Sequence, residues 1–288
     1  MSTQTFTPPA CTAHSQHLVF MGGGNMTRAI VSGLLQSPTP PARISVVQRS
    51  DPNKAQLMND FGPLGLQVVA HAGELSQAAT VVIWSVKPQV LKEVVLANKA
   101  LFSPECLHIS VAAGISTCAL GAWLDSNQVV RCMPNTPSSV GMGAAGLYAA
   151  SHITAAQRAQ VEAVLSTTGL LVWVEQEHLL EAVTAVSGSG PAYFFYVMQA
   201  MSEAGQAMGL SADTAQALAI ATARGAAELA TQSDESPAQL RQRVTSKGGA
   251  TFEAIAVFEQ AQLNATVANA MGACAARAKA MGEAFGSA

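Results

Sequence analysis

An α/β architecture, a doubly wound parallel sheet followed by an all-helical domain, is predicted by three observations. Short apolar runs alternate with helical patterns as far as Glu177. A glycine triplet, Gly22 to Gly24, separates the first run from the first helix. Past Glu177 the strand signals stop, and Ala, Met, Gly and Leu dominate.

Leu18 to Met21 reads as a first strand, because four apolar residues bounded by glycine suit a sheet covered on both faces. The next helix begins near Asn25, with Ala29, Ile30, Gly33 and Leu34 at helical spacing. Its free N–H groups face the glycine loop and attract anions. The spacing Gly22-x-Gly24-x-x-Thr27 matches the dinucleotide fingerprint of Rossmann-type sheets except at its third position, where Thr27 replaces glycine or alanine. An ordinary strand-to-helix turn is the bland alternative.

Ile44 to Val47 is the second strand, and its far end bears on the cofactor. An acidic residue there reads a ribose 2′-hydroxyl, whereas basic and hydroxyl groups suit a 2′-phosphate. Gln48, Arg49 and Ser50 favour NADP over NAD; Asp51-Pro52 reads as a helix start. Arg49 can also be a solvated surface cation.

Val68 to Ala70 and Thr80 to Val86 are the third and fourth strands, the latter strongly apolar and so central. Lys87 and Pro88 then open a helix over Gln89 to Leu96, where Lys87 lies either beside a cofactor or on the surface. A fifth strand, Leu107 to Val111, ends in Ala112, Ala113 and Gly114, small enough for a flat nicotinamide to approach or merely for a tight turn. Val129 to Met133 is the sixth, and the parallel sheet is expected to continue through Ala145 to Tyr148 and Leu170 to Val174, around a helix over Thr154 to Thr167.

From Ala182 to Ala223 only Glu203 and Asp213 are charged, so these helices are apolar nearly all round and need cover. About 110 residues make a small core, which implies a dimerisation domain. The expected division is a tail over residues 1–16, a Rossmann domain over 17–177 and a helical domain over 178–288. The last helix is expected over Ala265 to Ala280, with Arg277 and Lys279 near its end.

Composition narrows the function. With 49% hydrophobic and 11% charged residues among 288, the chain suits burial between subunits. Its net charge of −3 and scattered Lys and Arg argue against nucleic acid. No apolar run is long enough to span a membrane, the first seventeen residues lack a signal-peptide pattern, and five unpaired cysteines suit the cytoplasm. No ligand cluster for a metal is evident.

Three strings, Arg131-Cys-Met-Pro-Asn-Thr-Pro137, Ala185-Val-Ser-Gly-Ser-Gly-Pro-Ala-Tyr-Phe-Phe195 and Val244-Thr-Ser-Lys-Gly-Gly-Ala-Thr251, together resemble the pyrroline-5-carboxylate reductase family. The glycine loop, Ser85 to Pro88 and Ser110 to Gly114 fall in the family's order. The resemblance implies hydride transfer from NADPH, with NADH left open, to a cyclic imine to give L-proline in the last step of proline biosynthesis. It also implies a dimer, often assembled into a decamer. Matched residue by residue, it places Met21, Gly22, Gly23, Gly24, Asn25 and Met26 at the pyrophosphate and Arg49 and Ser50 at the adenosine end. Ser85, Val86, Lys87, Pro88, Val111, Ala112 and Ala113 fall at the nicotinamide half, and Asn135 is counted with the cofactor contacts. Ser246, Gly248, Gly249, Ala250 and Thr251 hold the substrate. Lys247 stands where many relatives have proline, and Ala72 where several have asparagine.

The residues support this chemistry independently. Gly248 to Thr251 lead into a helical pattern over Phe252 to Phe258, so backbone N–H groups can bind a carboxylate. Hydride transfer needs no protein nucleophile. Thr251 is the candidate to hydrogen-bond the imine nitrogen or relay a proton, with solvent supplying much of it. With the glycine loop and the GGAT loop in different domains, the site is expected to be completed across a dimer. Two rival readings remain: another NADP-linked imine or hydroxyacid reductase, and a nucleotide-sensing dimer without turnover. The hydroxyacid type places a lysine on the helix entering the second domain, and Tyr193 to Met208 has none.

Overall fold

The computed structural model describes residues 16–75 and 77–286; apart from Gln16, the expected tail lies outside the described residues. The chain divides into two compact units, one running to Gly188 and resuming at Ala275, the other spanning Ser189–Cys274.

The first unit is built on an eight-stranded sheet. The strands β1 (His17–Met21), β2 (Arg43–Val47), β3 (Gln67–Val69), β4 (Val81–Trp84), β5 (Leu107–Ser110), β6 (Val129–Met133), β7 (Gly143–Ala149) and β8 (Gly169–Trp173) lie in the order β3-β2-β1-β4-β5-β6-β7-β8. β1 pairs in parallel with β2 and β4, Met21 lying opposite Val47 on one side and Trp84 on the other. The carboxyl ends of these strands are therefore level, at the point where the winding reverses. Alternate residues of β1 enter opposite cores: Leu18 and Phe20 join Ile30, Val46 and Ile83, while Val19 and Met21 join Val82, Trp84 and Leu91. All four of those β1 residues are at most 2% exposed, and burying each side chain contributes roughly 1.5–3 kcal/mol.

The helices between these strands follow the expected order. α1 (Asn25–Leu35) buries Ile30, Val31 and Leu34. α2 (Asp51–Phe61) places Ser50, and not Asp51, at its N-cap, with Pro52 in the first turn. α3 (Pro88–Asn98) and α4 (Thr117–Leu124) follow, and α5 (Ala155–Leu165) opens with a reciprocal capping box of Thr154 and Gln157.

Two expectations about the elements are corrected. β7 runs antiparallel to β6, so the sheet is mostly and not wholly parallel. Only residues 134–142 join the two strands, shorter than the dozen or so residues of a parallel crossover. The last helix, α11 (Leu263–Gly286), continues past Ala280, so Arg277 and Lys279 are not in its final turn. The compact unit that holds the sheet runs on to Gly188, and α6 (Leu179–Val183) within it packs on β7: a side chain at Gly146 would meet Val183 Cγ1 at 2.7 Å and Leu180 Cδ2 at 3.0 Å.

The second unit holds α7 (Gly190–Ala207), α8 (Ala212–Thr231), α9 (Pro237–Arg243), α10 (Ala250–Gln260) and the first part of α11. α7 and α8 pack closely where Gly205 faces the Ala215 methyl. Little is buried here beyond Gly190, Gly205, Ala215 and Ala219, while Phe194, Phe195 and Tyr196 are each more than 60% exposed. A run of aromatic side chains with that exposure is the mark of a surface covered by a partner. Among the described residues, no helix is long and apolar enough to cross a membrane.

His108 lies 2% exposed on β5 and accepts a hydrogen bond on Nδ1 from Trp84 Nε1 at 3.2 Å. Burial pushes its pKa down to about 4, and burial likewise lowers that of His17 on β1. Below the ordinary value near 6.5 the unfolded ring takes a proton that the folded ring refuses until about pH 4. Stability therefore falls as pH drops through that window, by about 3 kcal/mol for His108 when the window is fully crossed. Melting temperatures at pH 7 and pH 5 are expected to show the loss, with a smaller loss in His108→Gln. An equal loss in that variant would assign it to other groups.

Candidate active site

The turn after β1 is shaped by what its glycines lack. Gly22 has φ of +107°, and a Cβ there would meet Val86 Cγ1 at 3.0 Å and the Ser85 carbonyl oxygen at 3.1 Å. Its N–H donates to the Val47 carbonyl at 3.0 Å, which holds the turn against β2. A side chain at Gly23 would collide with Leu57 Cδ1 at 2.6 Å. Gly24 is different: it is the N-cap residue of α1, with ordinary φ, no side-chain cap and nothing within 4 Å of a Cβ. The loop therefore leaves an open cradle over the uncapped helix start, the arrangement that suits a phosphate group.

Thr27 is fully buried, and its hydroxyl donates to the Gly22 carbonyl at 2.6 Å. Ser85 Oγ lies 2.7 Å from Thr27 Oγ1, 2.9 Å from the Gly22 carbonyl and 3.1 Å from that of Met21. The Ser85 hydroxyl, expected beside the nicotinamide, is thus turned to the glycine loop. On the other side, the Gly23 N–H donates to Gln48 Oε1 at 2.9 Å.

Beyond the turn opens a groove of about 520 Å³, lined by Met21, Gly22, Gln48, Arg49, Ser50 and Val86 together with Ala72, Val90, Glu93 and Val94. Arg49 and Ser50 are exposed on its wall. The open cradle at Gly24 and this groove have the features that suit a dinucleotide: an uncapped helix start favours an anion, and a guanidinium and a hydroxyl stand on the groove wall. Glu93, Val90 and Val94 come from α3, whose place beside the end of β2 is set by tertiary packing.

The remaining expected residues are less alike. Lys87 is the exposed N-cap of α3, with Pro88 in the first turn. The Val111 N–H is held by the Trp84 carbonyl at 3.1 Å, Ala112 is buried, and Ala113 is half-buried. Asn135 is 8% exposed with both ends of its amide engaged by protein, Nδ2 donating to the Ser187 carbonyl at 3.0 Å and Oδ1 accepting from the Ala144 N–H at 2.9 Å. It joins the loop after β6 to β7 and to the π-helical turn Thr184–Gly188. The element behind Gly114 escaped sequence reasoning. Gly114, with φ of +81°, is backed by the end of α11, where its Cβ would come within 3.1 Å of the Gly282 backbone.

In the second unit, Ser246 to Gly249 form a tight turn in which the Gly249 N–H donates to the Ser246 carbonyl at 3.0 Å. Gly248 has φ of +73°, and Gly249 is the N-cap of α10 without a side-chain cap. The first N–H groups of α10, at Ala250 and Thr251, are thus left to an anion. Ser246, Lys247, Ala250 and Thr251 are all exposed, and Glu253 is the acidic residue of the first turn.

Comparison with known proteins covers both parts of the chain. The pyrroline-5-carboxylate reductase dimerisation family matches residues 177–281, and the family described as NADP oxidoreductase, coenzyme F420-dependent, matches residues 17–114. The pyrroline-5-carboxylate reductase of Pseudomonas aeruginosa is 44% identical over 270 residues, covering 93% of this chain and 98% of that protein. The solved structure of a pyrroline-5-carboxylate reductase from Coxiella burnetii superposes with a TM-score of 0.86 at 38% identity, over 93% of this chain and 98% of that one. That of the Plasmodium falciparum enzyme, solved with NADP bound, gives 0.80 at 26% identity, over 93% and 99%. Fold and cradle thus define an NAD(P)-dependent oxidoreductase with a C-terminal dimerisation domain. The chain belongs to the pyrroline-5-carboxylate reductase family.

Replacing Gly24 by valine puts a side chain into empty space. Gly24→Val is expected to melt within about 2 °C of wild type while binding of NADPH, followed by its fluorescence, weakens at least tenfold. Unchanged affinity would show that nothing binds over the start of α1.

Proposed function

We propose that this protein reduces 1-pyrroline-5-carboxylate to L-proline with NADPH as donor. Family membership supports the reaction, and the observation that carries the cofactor half is the uncapped α1 with open space at Gly24. When bound, the cofactor supplies a hydride to the imine carbon. The C=N π bond opens as the new C–H bond forms, and the nitrogen takes up a proton, so that one hydride and one proton are added.

The chain's own groups then have separate tasks. Met21 to Met26 hold the diphosphate, Arg49 and Ser50 the 2′-phosphate, and Val86 to Pro88 with Val111 to Ala113 flank the nicotinamide half. Ser246 and the N–H groups from Gly248 to Thr251 take the substrate carboxylate, and the Thr251 hydroxyl donates a hydrogen bond to the nitrogen where charge changes. A hydroxyl is a poor acid, so the proton comes from solvent. The reading includes a dimer as the active form, higher assembly into a decamer, and a cytoplasmic location.

Consumption of NADPH absorbance on addition of 1-pyrroline-5-carboxylate tests the whole reading; no consumption with either NADPH or NADH would overturn it. Thr251→Ala should lower kcat by about 10² while NADPH affinity stays within about twofold. A kcat close to wild type would remove Thr251 from the reaction. Arg49→Ala should raise the KM for NADPH by about tenfold and leave that for NADH nearly unchanged; equal losses for both donors would make Arg49 a bystander.

A further inference from the structure

Thr27 departs from the fingerprint, and Gln48 is neither of the residues assigned to the 2′-phosphate, yet both reach the same peptide group. The bond between Gly22 and Gly23 is planar and trans, so its carbonyl and N–H point to opposite edges. The carbonyl accepts from Thr27 at 2.6 Å and lies 2.9 Å from Ser85 Oγ; the N–H donates to Gln48 Oε1 at 2.9 Å. Thr27 comes from α1, Ser85 from the end of β4 and Gln48 from the end of β2. Without such contacts a run of three glycines has wide conformational freedom.

We propose that Thr27, Ser85 and Gln48 are positioning residues that lock the Gly22–Gly23 peptide and thereby set the affinity for the cofactor diphosphate. The lock fixes where the following N–H groups, from Gly24 to Met26, are aimed before anything binds, so the ordering is not charged to the binding step. The glycine or alanine of the usual fingerprint would leave the Gly22 carbonyl with Ser85 as its side-chain partner. Thr27 adds a second hydroxyl at a site with no exposure to water, where a lost partner cannot be replaced by solvent. Gln48 also lines the groove beside Arg49, so the end of β2 serves the loop through one side chain and the adenosine end through the next.

This inference rests on the assignment of the α1 start to the diphosphate, and Gly24→Val tests that assignment separately. Direct binding of NADPH and NADH is measured by calorimetry for Thr27→Val, Thr27→Ser, Ser85→Ala and Gln48→Leu, together with melting temperature and, at saturation, kcat. Thr27→Val keeps the shape and loses the hydroxyl. It is expected to weaken both dinucleotides about tenfold, because the diphosphate is common to both, with kcat changed less than twofold. Thr27→Ser is expected to restore binding. Arg49→Ala, by contrast, discriminates between the two donors. Wild-type affinity in Thr27→Val and Gln48→Leu, with a lowered melting temperature alone, would overturn the proposal and leave these contacts purely structural. Should Thr27→Val not fold, Gln48→Leu, at a half-buried position, decides in the same way.

Discussion

The structure of the first unit depends on a single strand being paired on both sides. β1 is bonded to β2 and to β4 along its length, and its residues feed the cores on both faces of the sheet. Because Met21, Val47 and Trp84 finish level, one turn of chain can touch all three strand ends. The Val47 carbonyl and the Gln48 amide reach the glycine loop from the end of β2, and the Ser85 hydroxyl reaches it from the end of β4. A shift of one residue in either pairing would exchange the two faces of β1 and pull these groups apart.

Much of this was legible in the sequence because it rests on local patterns. Apolar runs bounded by Gly or Pro gave the strands, and the glycine triplet gave the turn. The apolar, almost uncharged stretch after Ala182 gave helices in need of cover. What was missed is set by contacts distant along the chain. The antiparallel course of β7 is the exception, since it follows from a connection of residues 134–142, too short for a parallel crossover. The side chains of α3 in the groove beside Arg49, and the end of α11 behind Gly114, lie on elements whose facing only tertiary packing decides. Thr27 is instructive in another way. Read as a pattern it weakens the fingerprint, whereas in the fold its hydroxyl is bound to the carbonyl of the first glycine. Asn135 teaches the converse, since a residue counted with the cofactor has its amide taken up by protein.

The second unit makes a different use of composition. With Ala and Gly at its closest contacts, α7 approaches α8 until Gly205 meets Ala215, while the large side chains of α7 point away. Small residues inside and aromatic residues outside are the reverse of a monomer's arrangement, and they suit a domain whose core is completed by a second chain. The stability of a unit whose exposed faces are covered by a second chain depends on protein concentration.

The contact between Gly114 and Gly282 joins a loop near the middle of the chain to one of its last helical turns. Phe285 adds to it by packing against the core that holds Trp84 and Ala112. During synthesis, residue 114 leaves the ribosome long before residue 282 is made. The sheet can therefore assemble early, while the loop after β5 gains its backing only once the helix that carries Gly282 has been made.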